Sequence, residues 1–262
     1  MRTRISVALN GTELHSIDQA IVLQGVDEGA ASWNITTGSR AGNSGQHVNG
    51  IEKRTRDVVV NFAVNEMRDL TRRAYILQQV CAWAANGGDL TVSYRDRQML
   101  RVRCAALPAV KSLDKWAETY SITFRAYEVP FWQSMDPESV AISAATSGSA
   151  TLMVKESAGG KLCFTAANNS GNTVNALAAA TASAAIGFQN LGLLSGEMLI
   201  LDYDKNDVQR IRILNGSTYR SALDKRTAVS ADDLILKFGA NSLSVESTYA
   251  VAWNLYTYGR WE

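Results

Sequence analysis

The chain has 262 residues and a mass of 28.4 kDa; 46% of them are hydrophobic and 19% charged, and 26 basic against 25 acidic groups leave a net charge of +1. A chain this long and apolar can bury a core, which excludes global disorder, and its charge balance excludes a dedicated binder of nucleic acid held by phosphate neutralisation. Three cysteines make no disulfide framework, the first seven residues lack the apolar region of a signal peptide, and the most apolar tract, residues 176–188, is too short and interrupted to span a membrane.

Residues 5–9 and 21–26 are short β-type runs, and Asn10-Gly11 supplies a turn after the first. Residues 34–56 hold four glycines and no apolar period, so an extended loop is predicted. Arg40, Lys53, Arg54 and Arg56 fall inside it and form a candidate basic patch on an inter-subunit or lumen surface, extended by Arg101, Arg103 and Arg125 further along. After the strand-like residues 58–64 the period becomes helical. Asn65 is the expected N-cap, with Glu66 and Asp69 in the first turn. Met67, Leu70, Ala74, Leu77, Cys81 and Ala84 form the expected buried stripe, widened by Ile76, Val80 and Trp83, and Asn86-Gly87-Gly88 the stop.

Residues 89–94 and 100–105 predict a hairpin across Arg95-Asp96-Arg97-Gln98, and residues 120–127 alternate, with Tyr120, Ile122, Phe124 and Ala126 on one face. Two of the three prolines, Pro130 and Pro137, then mark a domain boundary, giving an α+β domain over 1–133 (+3) and a second domain over 134–262 (−2). In the second, strand-like runs at 151–154, 161–164, 197–202, 208–214, 233–238, 242–245 and 249–258 predict an antiparallel β-sandwich. Residues 176–185, rich in alanine, read as a short helix. The fold class is mainly β with one long helix.

Catalytic patterns do not assemble. His15 and His47 lie in unrelated contexts, and Cys81, Cys104 and Cys163 have no CxxC pairing. The run from Asp202 to Asp207 starts like a calcium loop, but Asp207 occupies its glycine position and Ile213 its glutamate position, leaving a hairpin turn. Gly159-Gly160-Lys161 resembles the end of a phosphate loop, yet Lys155 stands at the first glycine and Leu162 replaces the hydroxyl residue. No enzyme, cofactor or metal is expected.

The order of elements resembles the distal tail proteins of long-tailed, siphovirus-like bacteriophages. The residues that carry it are the Arg-rich run into 58–64, the helix ending Trp83-Ala84-Ala85-Asn86-Gly87-Gly88, the hairpin 89–105 and the stretch 116–132 closing on Pro130-Phe131-Trp132. Residues 195–202, 232–241 and 249–261 extend it; Phe238-Gly239 departs from the family, which would place a proline before that glycine. The resemblance implies a virion protein, a belt domain that closes a hexameric ring, and an outward galectin-like or carbohydrate-module-like sandwich. Such a ring, assembled in the host cytoplasm, joins the tail-tube protein to the tail-tip hub protein and passes DNA through its lumen, without membrane or specific nucleic-acid binding. A second reading makes residues 134–262 a module for host-wall glycan, with Tyr256, Tyr258 and Trp261 as its aromatic platform. The face carrying Tyr249, Val251, Trp253 and Leu255 reads instead as core.

Overall fold

The computed structural model describes residues 5–39, 46–53, 55–66, 69–109 and 119–261. They fall into two compact units, the first ending at Trp132 and the second running from Gln133 to Trp261. Strands dominate both, and one α-helix is present among the described residues, so the mainly-β reading with a single helix holds.

The first unit contains β1 (Val7–Leu9), β2 (Thr12–Glu13), β3 (Ile21–Glu28), β4 (Trp33–Ser39), β5 (Gln46–Lys53), β6 (Arg56–Val64), α1 (Leu70–Ala85), β7 (Gly88–Val92), β8 (Gln98–Ala106) and β9 (Thr119–Ala126); β10 (Trp132–Ser134) begins at its last residue. Seven strands form an antiparallel sheet in the order β2-β1-β7-β8-β9-β6-β3. Strict alternation builds its inner face. Val58, Val60, Phe62 and Val64 of β6 and Tyr120, Ile122, Phe124 and Ala126 of β9 are all buried.

Helix α1 starts later than Asn65. Asp69 is the cap, its Oδ1 accepting from the Arg72 amide at 3.0 Å, and the buried side chains are Arg73, Ile76, Leu77, Val80 and Ala84. Leu70 is 47% exposed, and Met67 lies outside the described residues. Burial centres on Ile76 and Val80, which were expected to widen the stripe, because they remove more apolar surface from water than Ala74 and Cys81. Trp83 locks the helix end, its ring edge-on to Phe124 at 5.9 Å and its Nε1 donating to the Thr12 carbonyl at 3.0 Å. Gly87 terminates the helix with φ +62, and a Cβ there would meet the Val102 carbonyl oxygen at 2.3 Å. Gly87→Ala is therefore expected to destabilise the protein by at least ~1–2 kcal/mol, the cost of the left-handed conformation alone, read as a lowered urea midpoint.

The loop expected over 34–56 is instead largely a β-ribbon. β4 and β5 pair antiparallel from Trp33↔Lys53 to Ser39↔Gln46, with a bulge between Thr36 and Thr37. Its exposed residues Ile35, Thr36 and Thr37 bury no face, which is why no apolar period announced it. Among the described residues the ribbon pairs with no other strand.

The second unit contains β11 (Glu138–Val154), β12 (Gly160–Lys161), β13 (Cys163–Asn168), β14 (Leu177–Thr181), β15 (Ala185–Phe188), β16 (Met198–Tyr203), β17 (Gln209–Asn215), β18 (Thr218–Ser221), β19 (Ile235–Leu236), β20 (Gly239–Thr257) and β21 (Arg260–Trp261). Its large sheet is organised by β20, which was read from sequence as two strands. One side of β20 pairs with β14 over residues 243–247 and then with β13 over 251–256; the other side pairs with β11 along its length. β20 changes partner between Ser247 and Val251, and β11 opposite it carries register shifts between Ile142 and Ser147. Strands β16, β17 and β18 continue from β13, and β15 continues from β14.

The helix expected over 176–185 is a correction: Leu177–Thr181 is the strand β14. Leu177 and Ala179 enter the core while pairing on both sides overrides the helical preference of alanine. One core fills this unit, centred on Phe164, Phe188, Leu199, Leu201, Ile213, Trp253 and Leu255.

Candidate functional site

The basic residues of the first unit are placed by its sheet. Arg125 on β9 sits opposite Asp57 on β6, and its Nε and Nη2 donate to the two carboxylate oxygens at 2.6 and 2.7 Å. That two-point hydrogen bond, against a smaller desolvation effect, holds the Asp57 carboxyl below its ordinary range. Arg101 pairs with Asp89 at 2.6 Å and Arg103 with Glu128 at 3.0 Å. These three arginines thus do not form the uncompensated positive surface considered from sequence. Arg56 opens β6 and is buried, Lys53 ends β5, and Arg40 and Arg54 lie outside the described residues.

A second cluster was not legible in the sequence. Glu28, at the end of β3, accepts from Tyr94 Oη at 2.6 Å, from Arg95 Nε and Nη2 at 2.9 and 2.7 Å, and from Trp132 Nε1 at 3.0 Å. The Arg95 guanidinium also lies 4.9 Å from the centre of the fully buried Trp132 ring. Burial pushes the Glu28 carboxyl up, but the Arg95, Tyr94 and Trp132 donors outweigh it and leave the group below its ordinary range. Glu28 and Trp132 are 104 positions apart, so no local motif marks their pairing.

In the second unit Lys161, from the phosphate-loop-like Gly-Gly-Lys, is held between carboxylates. Its Nζ lies 2.9 Å from Asp207 and 2.8 Å from Asp233, and 4.6 Å from the Tyr203 ring centre; Arg260 Nη2 reaches Asp207 at 2.5 Å. A lysine so committed is a structural tie from β12 to the Asp204 turn and to the segment before β19, and Arg260 joins β21 to the same Asp207. That turn is a hairpin turn between β16 and β17: Asp204 Oδ1 accepts from the Asn206 and Val208 amides at 2.8 and 3.0 Å, and Asp207 has φ +63.

The aromatic residues at the chain end divide in the same way. Val251, Trp253 and Leu255 are buried, whereas Tyr249, in the gap between the pairings with β14 and β13, is 41% exposed. Tyr256 and Tyr258 meet edge-on at 6.0 Å; Tyr258 is 43% exposed, Tyr256 and Trp261 half-buried. Cys163 is buried and its thiol pushed up to about 12, chiefly by desolvation. His15 is exposed, with Nδ1 3.0 Å from Glu13, beside a cleft of about 240 Å³ lined by Val7, Leu14, Ile21 and Leu23. His47 lies on β5. Among the described residues no three His, Cys, Asp or Glu side chains gather as a metal-holding group, and no helix is long and apolar enough to cross a membrane.

No family model and no curated protein matches the chain. Among solved structures it superposes on the Dit (gp 19.1) protein of phage SPP1, described as a paradigm of the hub adsorption apparatus in phages that infect Gram-positive hosts. The TM-score is 0.72 at 13% identity, covering 97% of this chain and 98% of that one. A chain of the phage p2 baseplate, in its activated conformation with Ca, gives a TM-score of 0.50 at 10% identity, over 99% and 98% of the two chains. The chain therefore has a Dit-like fold through both of its units, the fold that the residue patterns of the distal tail family implied.

Proposed function

We propose that the protein is a non-enzymatic structural subunit of a phage tail tip. In this reading the first unit closes copies of the chain into a hexameric ring between the tail-tube protein and the tail-tip hub, and DNA passes through the lumen. The observation that carries the reading is the Dit-like course of the backbone over 97% of the chain. Two features support it. Arg101, Arg103 and Arg125 are matched by carboxylates, and a lumen through which DNA slides must not hold phosphate tightly. The β4–β5 ribbon has no intramolecular strand partner among the described residues, and an isolated two-stranded ribbon is marginal in water. A neighbouring copy in a head-to-tail contact that closes would supply its missing support. Lys53, with Arg40 and Arg54, belongs to this proposed contact region, whereas Arg56 is buried within its own chain.

Negative-stain imaging and light scattering of the full chain test the reading. Rings with a mass of several subunits are expected, and Ile35→Asp on the ribbon is expected to reduce them to monomers while circular dichroism stays unchanged. Monomers at every concentration of the parent protein would overturn it. Exposed Tyr258, with Tyr256 beside it, motivates a second reading of the outer unit as a glycan-binding surface. Retention on purified cell wall, abolished by Tyr258→Ala, is its expected result; no retention removes it.

A further inference from the structure

The two large sheets end in strands that are guarded against pairing, with one exception. At the ends of the first sheet, β2 has two residues, and β3 carries Asp27, Glu28 and a register shift between Leu23 and Gly25. In the second, β18 has four residues including Arg220. The edge of β15 is covered by the following chain: the Gln189 amide donates to the Lys225 carbonyl and the Thr227 amide to the Gly187 carbonyl, both at 2.9 Å. Short length, charge, bulges and covering loops are the usual defences of an exposed edge.

β11 has fewer of them. It runs for 17 residues, and among the described residues only β20 pairs with it. Its single charge, Glu138, stands at the start and is neutralised by Lys155 at 2.6 Å. Residues 139–154 contain no charge and no proline. The register shifts are confined to 142–147, so Ser147–Val154 presents eight regularly paired residues against Gly239–Glu246 and an open row of backbone donors and acceptors on its other side.

We infer that this edge pairs with the same edge of a second copy, antiparallel about a two-fold axis. Self-pairing fits because a strand edge is complementary to itself in antiparallel register, and a neutral one brings no like-charge repulsion. A two-fold axis keeps paired residues on the same face and so passes through one residue. Centred on Ala150, it sets Ser149 opposite Thr151 and Gly148 opposite Leu152, small against large, and brings Ser147 of one copy over Met153 of the other, which is 53% exposed in the single chain. The contact is built by the second unit alone and does not depend on the ring proposed for the first.

Light scattering of the full chain at high concentration tests it. The parent protein is expected to have twice the mass of Ser149→Lys and of Thr151→Lys, each of which places cations near the axis on an exposed position, with unchanged circular dichroism. Mild oxidation of Ala150→Cys is expected to give disulfide-linked pairs much faster than Thr218→Cys on β18. Equal masses for the parent and both lysine variants, or no preference for cross-linking at 150, would overturn the inference, as would capture of a different protein's strand in place of a second copy. Loss of the ring alone would leave the factor of two intact, with dimers in place of paired rings.

Discussion

Glu28→Gln is expected to destabilise the first unit by about 3 kcal/mol, the lower end of the range for breaking a buried ion pair, because Arg95 retains some exposure. The carboxylate accepts both branches of the Arg95 guanidinium as well as Tyr94 Oη and Trp132 Nε1. An amide has one acceptor oxygen, so at least one donor loses its partner, and the Arg95 charge is left over the buried Trp132 ring without its carboxylate. The urea midpoint, followed by tryptophan fluorescence, is the measurement; a shift below about 1 kcal/mol would mean that the network is not a unit. Acid gives an independent check. The folded carboxyl is held below its ordinary range, so its stabilisation is complete above the unfolded value of about 4.3 and is lost as pH falls through the folded value. Below that window the difference between the parent protein and Glu28→Gln should shrink; a difference that is constant with pH would assign the effect to packing.

This network also shows where sequence reading stops. Regular alternation made β6 and β9 legible, since every second residue from Val58 to Val64 and from Tyr120 to Ala126 had to be buried for the sheet to have an inner face. The turn residues did the same for the β7–β8 and β16–β17 hairpins. The β4–β5 ribbon and most of β11 were invisible for the converse reason: pairing there is made by backbone groups that leave no hydrophobic period, and Ile35, Thr36 and Thr37 of β4, like most side chains of β11, are exposed or half-buried. β14 was misread because alanine favours a helix only when no sheet stands ready on both sides of it. The ties made by Glu28 and Lys161 join residues far apart in the chain, and no spacing rule reaches across 104 or 72 positions. What a sequence of this kind does announce is the ordering of elements, and that ordering was enough to bring the distal tail fold into view before any contact was known.

The second large effect is expected at Phe164, in the core of the second unit. Phe164 is fully buried on β13, opposite Leu201 on β16 and Leu255 on β20, with its ring 5.5 Å from Trp253 and 6.4 Å from Phe188, the latter edge-on at 77°. Phe164→Ala removes the ring from the meeting point of three strands that are fixed by backbone pairing and cannot collapse into the space. The loss is expected to be about 3–5 kcal/mol, of which each aromatic contact supplies about 0.5–1.5 kcal/mol beyond the area buried. Phe164→Leu keeps most of the volume and should cost less than about 1.5 kcal/mol plus the aromatic share. Urea unfolding of the two variants separates cavity from ring chemistry. Equal losses would show that the ring's contacts with Trp253 and Phe188, and not the filling of space, carry the effect. A loss near zero for both would mean that the core of the second unit does not depend on β13.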